Sequence, residues 1–173
     1  GHGLDGDLLA RGTAVSGILN GVDYDEWNPA TDRYIPYRYD AADLAGKARN
    51  RDALLDLLRM QASPTTPLVG MVTRLTRQKG IDLLYDALPE VLESDGIRLV
   101  VLGSGEHHYE QFLHGLQERH PGRAVFYSGY SEELAHFIEA AADLFLMPSM
   151  YEPCGLNQMY SLKYGTVPIV RRT

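Results

Sequence analysis

The sequence predicts an α/β fold in which a Rossmann-like parallel sheet is flanked by helices. From residue 66 onward, short apolar runs alternate with segments of helical periodicity. The apolar runs are continuous, which is typical of strands buried on both faces of a parallel sheet. Right-handed crossovers between such strands give a doubly wound sheet, and ligands bind beyond the carboxyl ends of its strands. The loops that follow the strands are therefore where we expect chemistry.

Five strands are predicted, each as an apolar run bounded by turn residues or by a helical segment. They cover residues 66–73, 97–105, 123–129, 143–149 and 167–172. The helices between them are predicted at residues 79–96, 109–120, 131–141 and 155–165. Pro89 predicts a kink or break in the first of these helices, because proline cannot donate a backbone hydrogen bond. Ser131 is a candidate N-cap for the third.

The first 67 residues are less regular than the rest. They contain a predicted structured loop at 16–29, an extended stretch at 33–40 and an amphipathic helix at 43–60. We therefore divide the chain into an inter-domain segment with a leading helix packed on the domain, residues 1–67, and an incomplete Rossmann-like domain, residues 68–173. The last apolar run reads as a buried strand, so we expect the chain to be a piece of a larger protein.

The composition excludes several classes of partner. The formal net charge is −7 over 173 residues, and an acidic surface argues against non-specific binding to nucleic acid or to an anionic membrane. A single cysteine allows no disulfide within the chain. Apolar runs stay far shorter than the roughly 20 residues that span a bilayer. We therefore expect a cytoplasmic protein with neither nucleic acid nor a membrane as its partner.

Three basic residues crowd the loop that follows the first strand: Arg74, Arg77 and Lys79. Taken alone, this loop is best explained by solvated surface charge. At the carboxyl edge of a parallel strand, beside the start of a helix, the same cations would suit a phosphate or diphosphate. Both interpretations stay open at this point.

Two further strand ends carry weaker signals. The stretch "LGSGE" at 102–106 resembles half of a dinucleotide fingerprint but lacks the third glycine. Gly103 and Gly105 either form a tight turn or let a ligand approach the backbone closely. Tyr130 follows the third strand and could stack on a base, although packing against a neighbour is favoured from sequence alone.

The stretch "SMYEPCGLNQ" at 149–158 ends the fourth strand and opens the fourth helix. Backbone amides from Cys154 to Leu156 would suit a phosphate, whereas Glu152 would repel it and accept hydrogen bonds from sugar hydroxyls. That combination fits a phosphorylated sugar, with an acid that complements the helix dipole as the alternative. Cys154 has no evident base partner, so a packing role is favoured over a nucleophile. The six histidines show no metal-ligand spacing.

Taken together, these stretches resemble one known family. The segments "GILNGVDYDEWNP", "RLTRQKGIDLL", "EPCGLNQMYSLKYG" and "VPIVRRT" are similar to bacterial glycogen synthases and plant starch synthases, and "GHGLDG" is closer to the bacterial branch. The resemblance implies a GT-B architecture of two Rossmann-like domains facing each other across a cleft. It also implies retaining transfer of glucose from ADP-glucose to the non-reducing end of an α-1,4-glucan (glycogen), with no metal and no other cofactor.

Under this resemblance, residues 68–173 correspond to the nucleotide-sugar-binding domain. The N-terminal domain, which in the family carries a Lys-Thr-Gly-Gly-Leu motif and the acceptor site, is missing from this sequence. Half of the cleft would then be absent, and the chain alone is expected to be inactive because the reactants would not be held together. Whether it binds ADP by itself stays open.

The resemblance also implies roles for individual residues. As catalytic residues, Arg74 and Lys79 would hold the diphosphate of ADP, and Glu152 would hold the transferred glucose. The residues expected to bind substrate are Asn20 near the sugar, Tyr130 stacked on adenine, Cys154, Gly155 and Leu156 around the sugar and diphosphate, and Asn157 where some members carry a phosphate-contacting threonine. Many retaining GT-B enzymes have a second acid eight positions after the first. Here Tyr160 occupies that position, a replacement that glycogen and starch synthases generally share.

Three alternatives stay open. A retaining GT-B transferase that uses UDP-glucose would share Arg74, Lys79 and Glu152, and a non-catalytic nucleotide-binding module would share the fold. A dehydrogenase that uses NAD is the most distant, because the second strand ends without an acidic residue that reads as a ribose ligand.

The choice between a short-lived oxocarbenium ion and a covalent intermediate is also open, although the lack of a dedicated nucleophile favours the former.

Overall fold

A computed structural model describes residues 3–94 and 96–172, so that Gly1, His2, Asp95 and Thr173 lie outside the described part. It confirms the predicted α/β fold. Five parallel strands form one sheet in the order β3-β2-β1-β4-β5. Each lies within its predicted range: β1 Leu68–Val72, β2 Arg98–Gly103, β3 Ala124–Ser128, β4 Leu144–Met147 and β5 Val167–Val170.

The described residues contain six α-helices, and those after the first cover both faces of the sheet. The six are α1 Asp5–Arg11, α2 Ala45–Leu57, α3 Ala87–Glu93, α4 His107–Arg119, α5 Glu132–Ala141 and α6 Leu156–Lys163. The predicted N-cap is confirmed, because the Ser131 hydroxyl accepts a hydrogen bond from the Leu134 amide at 3.2 Å. Helix α1 was not predicted. It buries none of its residues, and its two leucines, Leu8 and Leu9, are both exposed.

The first crossover differs from its prediction. Instead of one helix over 79–96 that breaks at Pro89, two 3₁₀ turns, Arg77–Lys79 and Ile81–Leu84, precede α3. Pro89 lies in the first turn of α3, where backbone amides have no partner within the helix and proline therefore sacrifices no hydrogen bond. The break lies before the proline rather than at it.

The leading segment also differs in one place. Residues 33–37 form a series of bends instead of an extended stretch. The bends let Ile35 and Tyr39 turn inward, where they join Ala140 of α5 and Tyr164 in a small buried cluster. The Tyr39 hydroxyl donates to the Tyr164 carbonyl at 2.8 Å, so this part of the segment is tied to the helices that follow β3 and β4.

Two larger apolar clusters form the core, one on each face of the sheet. On one face, β1 and β2 pack against α3 and α4 through residues such as Leu88, Leu92 and Leu113. On the other face, α2 and α5 pack through residues such as Leu54 and Ile138. No helix in the described ranges is long and apolar enough to cross a membrane.

One buried acid lies beneath the leading segment. Glu139 of α5 is 2% exposed and accepts a hydrogen bond from the Ser161 hydroxyl at 2.9 Å. Burial raises the pKa of this carboxyl to about 8, although the Ser161 hydrogen bond and the charge of Lys47 both oppose the shift. At neutral pH the folded chain therefore holds Glu139 mostly protonated.

This pKa predicts how stability depends on pH. In the unfolded chain Glu139 releases its proton near pH 4.5, so between that value and about pH 8 the folded state binds more protons. The contribution of Glu139 to the free energy of unfolding therefore decreases as pH rises through this window. We expect Glu139→Gln to reduce that decrease by at least about 1 kcal/mol between pH 5 and 8, as measured by urea unfolding.

The comparison has an internal control. Glu133→Gln changes an exposed acid of the same helix and should leave the slope unchanged. Measurements should stop at pH 8, because burial lowers the pKa of Lys47 to about 8 and stability would rise with pH above that value. An identical pH slope in Glu139→Gln and the unchanged chain would contradict the prediction.

Candidate active site

The strand order places the candidate site. Strands β2 and β3 lie on one side of β1, and β4 and β5 lie on the other. The loops that follow β1 and β4 therefore leave the sheet side by side at the point where the winding reverses, and doubly wound sheets have their ligand crevice there. These are the two loops that the sequence singles out.

The two loops are packed backbone to backbone. The Met150 amide donates to the Gln78 carbonyl at 2.8 Å, and the Gln78 side-chain amide donates to the Tyr151 carbonyl at 3.1 Å. Gly80 has a φ of +73°, and a Cβ atom there would lie 2.1 Å from the Pro148 carbonyl oxygen. Only glycine combines this conformation with so close an approach.

The packed loops bring two predicted residues into direct contact. Lys79 Nζ lies 2.7 Å from Glu152 Oε2, and both side chains are largely buried. The Ser149 hydroxyl donates to the same carboxylate oxygen at 3.1 Å. Sequence reasoning assigned Lys79 and Glu152 to different parts of a ligand and missed both their pairing and the contribution of Ser149.

Two adjoining cavities open beside this ion pair. A cavity of about 270 Å³ is lined by Asn20, Lys79, Glu152, Cys154, Gly155, Leu156 and Asn157, among others. A second cavity of about 330 Å³ is lined by Arg74, Lys79, Tyr130 and Asn157, among others. All nine predicted site residues thus line one continuous edge, and Lys79 and Asn157 belong to both cavities. Their individual roles stay predictions.

Asn157 connects α6 to the end of β1. Its side-chain amide donates to the Val72 carbonyl at the end of β1, at 3.1 Å. Its helix, α6, begins after Gly155, which has a left-handed φ of +79°. One amide hydrogen of Asn157 therefore holds the structure together, which leaves the other for the ligand contact expected from the resemblance.

Gly103, at the end of β2, and Gly105, just after it, are both in close packing contact. A Cβ atom on Gly103 would lie 2.0 Å from the Thr73 carbonyl oxygen, and one on Gly105 would lie 2.1 Å from that of Leu75. Leu75 and Gly105 also form a parallel β-bridge beyond the strands. The close approach that both glycines permit is thus to the loop after β1. Gly103 also lines the second cavity, so for this residue the alternative of a ligand approach stays open.

The expectation that Tyr130 packs against a neighbour is wrong. Its side chain is 69% exposed, and its hydroxyl donates to the Glu132 carboxylate. The ring is therefore presented at the rim of the second cavity rather than buried against a neighbour. Arg77, the third cation of the basic loop, is exposed and does not contribute to the lining of either cavity.

Within the described ranges, one group of side chains has metal-ligand spacing. Glu26, Glu132 and His136 place one potential ligand atom each within 4.8 Å of the others. His136 Nε2 lies 3.4 Å from Glu132 Oε1, and the group lines neither cavity. That the chemistry needs no metal stays a prediction.

Comparisons with known proteins bear on this geometry. Residues 59–173 match the family model described as "Glycosyl transferases group 1". The chain belongs to this family. Over its whole length, this group 1 glycosyl transferase is 52% identical to a glycogen synthase of Thioalkalivibrio sulfidiphilus and 53% identical to one of Myxococcus xanthus. It spans 36% of the length of each of these relatives.

Solved structures agree with the family. The catalytic domain of starch synthase IV from Arabidopsis thaliana, bound to ADP and acarbose, is 40% identical with a TM-score of 0.89, over 99% of this glycosyl transferase and 35% of that chain. WaaG, a glycosyltransferase of lipopolysaccharide biosynthesis, is 21% identical with a TM-score of 0.62, over 88% of this chain and 36% of its own. The second likeness shows the fold alone. The division of the chain at residue 67 stays a prediction.

Proposed function

We propose that this chain is the donor-binding part of a glycogen synthase. The whole enzyme would transfer glucose from ADP-glucose to the non-reducing end of an α-1,4-glucan, with retention at the anomeric carbon. The observation that carries the proposal is the junction of the two cavities at Lys79 and Asn157, since a sugar and a diphosphate need adjacent but chemically different sites. The names of relatives at about half identity support the choice of reaction, and the ADP in starch synthase IV supports the choice of nucleotide.

The second cavity would take the ADP portion. Arg74 offers a bidentate fork and Lys79 a movable point charge for the two phosphates. Both cations would stabilise the negative charge that develops on ADP as it leaves. Tyr130, exposed at the rim, would stack on the adenine ring.

The first cavity would take the glucose. Glu152 would accept hydrogen bonds from the sugar hydroxyls, with Cys154, Gly155 and Leu156 around the sugar and Asn20 opposite. The Lys79 ammonium at 2.7 Å offsets the carboxylate charge, so that a phosphate can bind beside an acid. Lys79 would therefore serve both halves of the donor, and this is the reason for its place between the cavities.

The acceptor side would come from the rest of the protein. The chain spans only 36% of its glycogen synthase relatives, so we propose that the glucan binds across a cleft to a further, N-terminal domain. By this proposal the enzyme is cytoplasmic, needs neither a metal nor a further cofactor, and loses transfer when the donor-binding part is isolated.

The test is donor choice in the full-length protein. Transfer of labelled glucose to glycogen should occur with ADP-glucose in the presence of a chelator, at a kcat/KM at least about tenfold above that for UDP-glucose, and the new linkage should be α. A preference for UDP-glucose would indicate a different retaining transferase. Nucleotide binding without transfer from either donor would indicate a non-catalytic module.

A further inference from the structure

The segment that carries Asn20 has little support of its own. Residues 3–21 are all exposed, and yet Asn20 lines the cavity that contains Glu152. Whatever holds Asn20 at that wall must therefore act from the residues that follow it. The residues that follow contact the sheet domain first at Tyr24, whose ring centroid lies 5.3 Å from Lys163 Nζ, and then more closely at Trp27.

Trp27 is the anchor of this segment. Its ring lies between His136 of α5, at a centroid distance of 3.8 Å and 16° from parallel, and Tyr160 of α6, at 4.1 Å and 2°. His136 is itself fixed, because Nδ1 lies 2.8 Å from the buried carboxylate of Asp32. The indole is thus held between two rings on two different helices, in a stacked arrangement of the kind that aromatic pairs favour.

A hydrogen-bonded turn connects this anchor to Asn20. The Trp27 amide donates to the Asp23 carbonyl at 2.9 Å. The Asp23 side chain accepts from the amides of Asp25 and Glu26 at 2.9 and 3.3 Å. Only two residues, 21 and 22, separate this turn from Asn20, so a shift of the indole moves the start of the turn and Asn20 with it.

We propose that Tyr160 is a positioning residue that acts on the sugar pocket through Trp27 and Asn20. It lies one turn after the start of α6, the same helix that presents Gly155 and Leu156 to the cavity. One helix thereby lines the pocket on one wall and, through the flat Tyr160–Trp27 stack, holds the segment that forms another wall. The effect on transfer rests on the proposed function, whereas the coupling of Tyr160 to the 23–27 turn does not.

A double-mutant cycle in the full-length protein tests the functional part. Tyr160→Ala and Asn20→Ala should each lower kcat/KM for ADP-glucose about tenfold, mainly through KM, and the double variant should be no worse than either one, because coupled residues are not additive. Tyr160→Phe, which keeps the ring, should behave like the wild type. A double variant about a hundredfold impaired, the product of two independent effects, would overturn the proposal.

A second measurement needs no activity. Trp27 is the only tryptophan of this chain, so its emission reports on the stack. Tyr160→Ala should shift the emission to longer wavelength, increase acrylamide quenching, and accelerate hydrogen exchange of the Asp25, Glu26 and Trp27 amides. Tyr85→Ala should change none of these, although it removes a comparable ring contact, to Phe112 at 4.6 Å.

The two experiments distinguish failure of the proposed function from failure of the positioning role of Tyr160. If the full-length protein transfers glucose from neither donor, the proposed function fails, and unchanged emission and exchange in Tyr160→Ala would still overturn the positioning role. If transfer is normal and the cycle is additive, the positioning role fails alone.

Discussion

Replacement of Lys79 by alanine in the full-length protein should lower kcat by about 10²–10³-fold, the usual effect of removing one group that stabilises developing charge. Lys79 lines both cavities and pairs with Glu152 at 2.7 Å. Its loss would remove a cation from the leaving diphosphate and leave the Glu152 charge uncompensated beside it. Single-turnover kinetics with ADP-glucose would separate this loss from slower product release.

The basic loop provides the control for this experiment. Arg77→Ala removes an equal charge two residues away, but Arg77 is exposed and lines neither cavity. Its kcat should stay within about threefold of the wild type, because exposed charges act weakly through screening solvent. Near-normal turnover in Lys79→Ala, or an equal loss in both variants, would remove Lys79 from the proposed diphosphate site.

The sheet was the most predictable part of the molecule. Strands β1, β2 and β4 are continuous apolar runs, and burial within the sheet leaves that pattern in the sequence without help from distant residues. The expectation of a buried last strand is wrong, because β5 lies at the sheet edge and Val167, Ile169 and Val170 are exposed. The convergence of the loops after β1 and β4 was predictable for the same reason, because parallel strands bring their carboxyl ends to one edge. Eight of the nine candidate residues follow a strand and lie at that edge in consequence, whereas Asn20 reaches it from the leading segment.

The first crossover, between β1 and β2, was predicted only in part. Pro89 predicted a break, but proline costs nothing in the first turn of a helix, and the helix simply begins two residues before it. The periodic apolar residues Ile81 and Leu84 fit a 3₁₀ turn as well as an α-helix. Periodicity located the buried face correctly and could not distinguish the two kinds of turn.

Contacts between distant segments were missed altogether. The stack of Trp27 on His136 and Tyr160 joins residues more than 100 positions apart, and it leaves no periodic signal in the sequence. Ser149 was passed over because a serine at a strand end is unremarkable until the carboxylate that it contacts is known. Both contacts depend on how closely the loops approach one another, and that approach is decided by backbone conformation.

Gly80 is the residue on which this approach depends, and Gly80→Ala should destabilise the chain by about 2–3 kcal/mol. The left-handed conformation alone costs an alanine roughly 1–2 kcal/mol. The remainder follows from the added Cβ, which would lie 2.1 Å from the Pro148 carbonyl oxygen and force the two loops apart. Urea unfolding of this chain would measure the loss.

The same substitution should weaken donor binding in the full-length protein. Separation of the loops would break the hydrogen bonds between Gln78 and the 150–151 stretch and lengthen the Lys79–Glu152 pair. We therefore expect an increase of at least about tenfold in KM for ADP-glucose, since sub-ångström placement of charged groups carries much of their effect.

Another glycine provides the contrast. Gly115 lies within α4, and a Cβ atom there meets nothing within 4 Å, so Gly115→Ala should stabilise the chain by about 0.5–1 kcal/mol through its better helix propensity. If Gly80→Ala unfolded at the same urea concentration as Gly115→Ala, the loops would not be held by this contact. The junction of the two cavities would then rest on other contacts between the loops, such as the Met150–Gln78 backbone hydrogen bond.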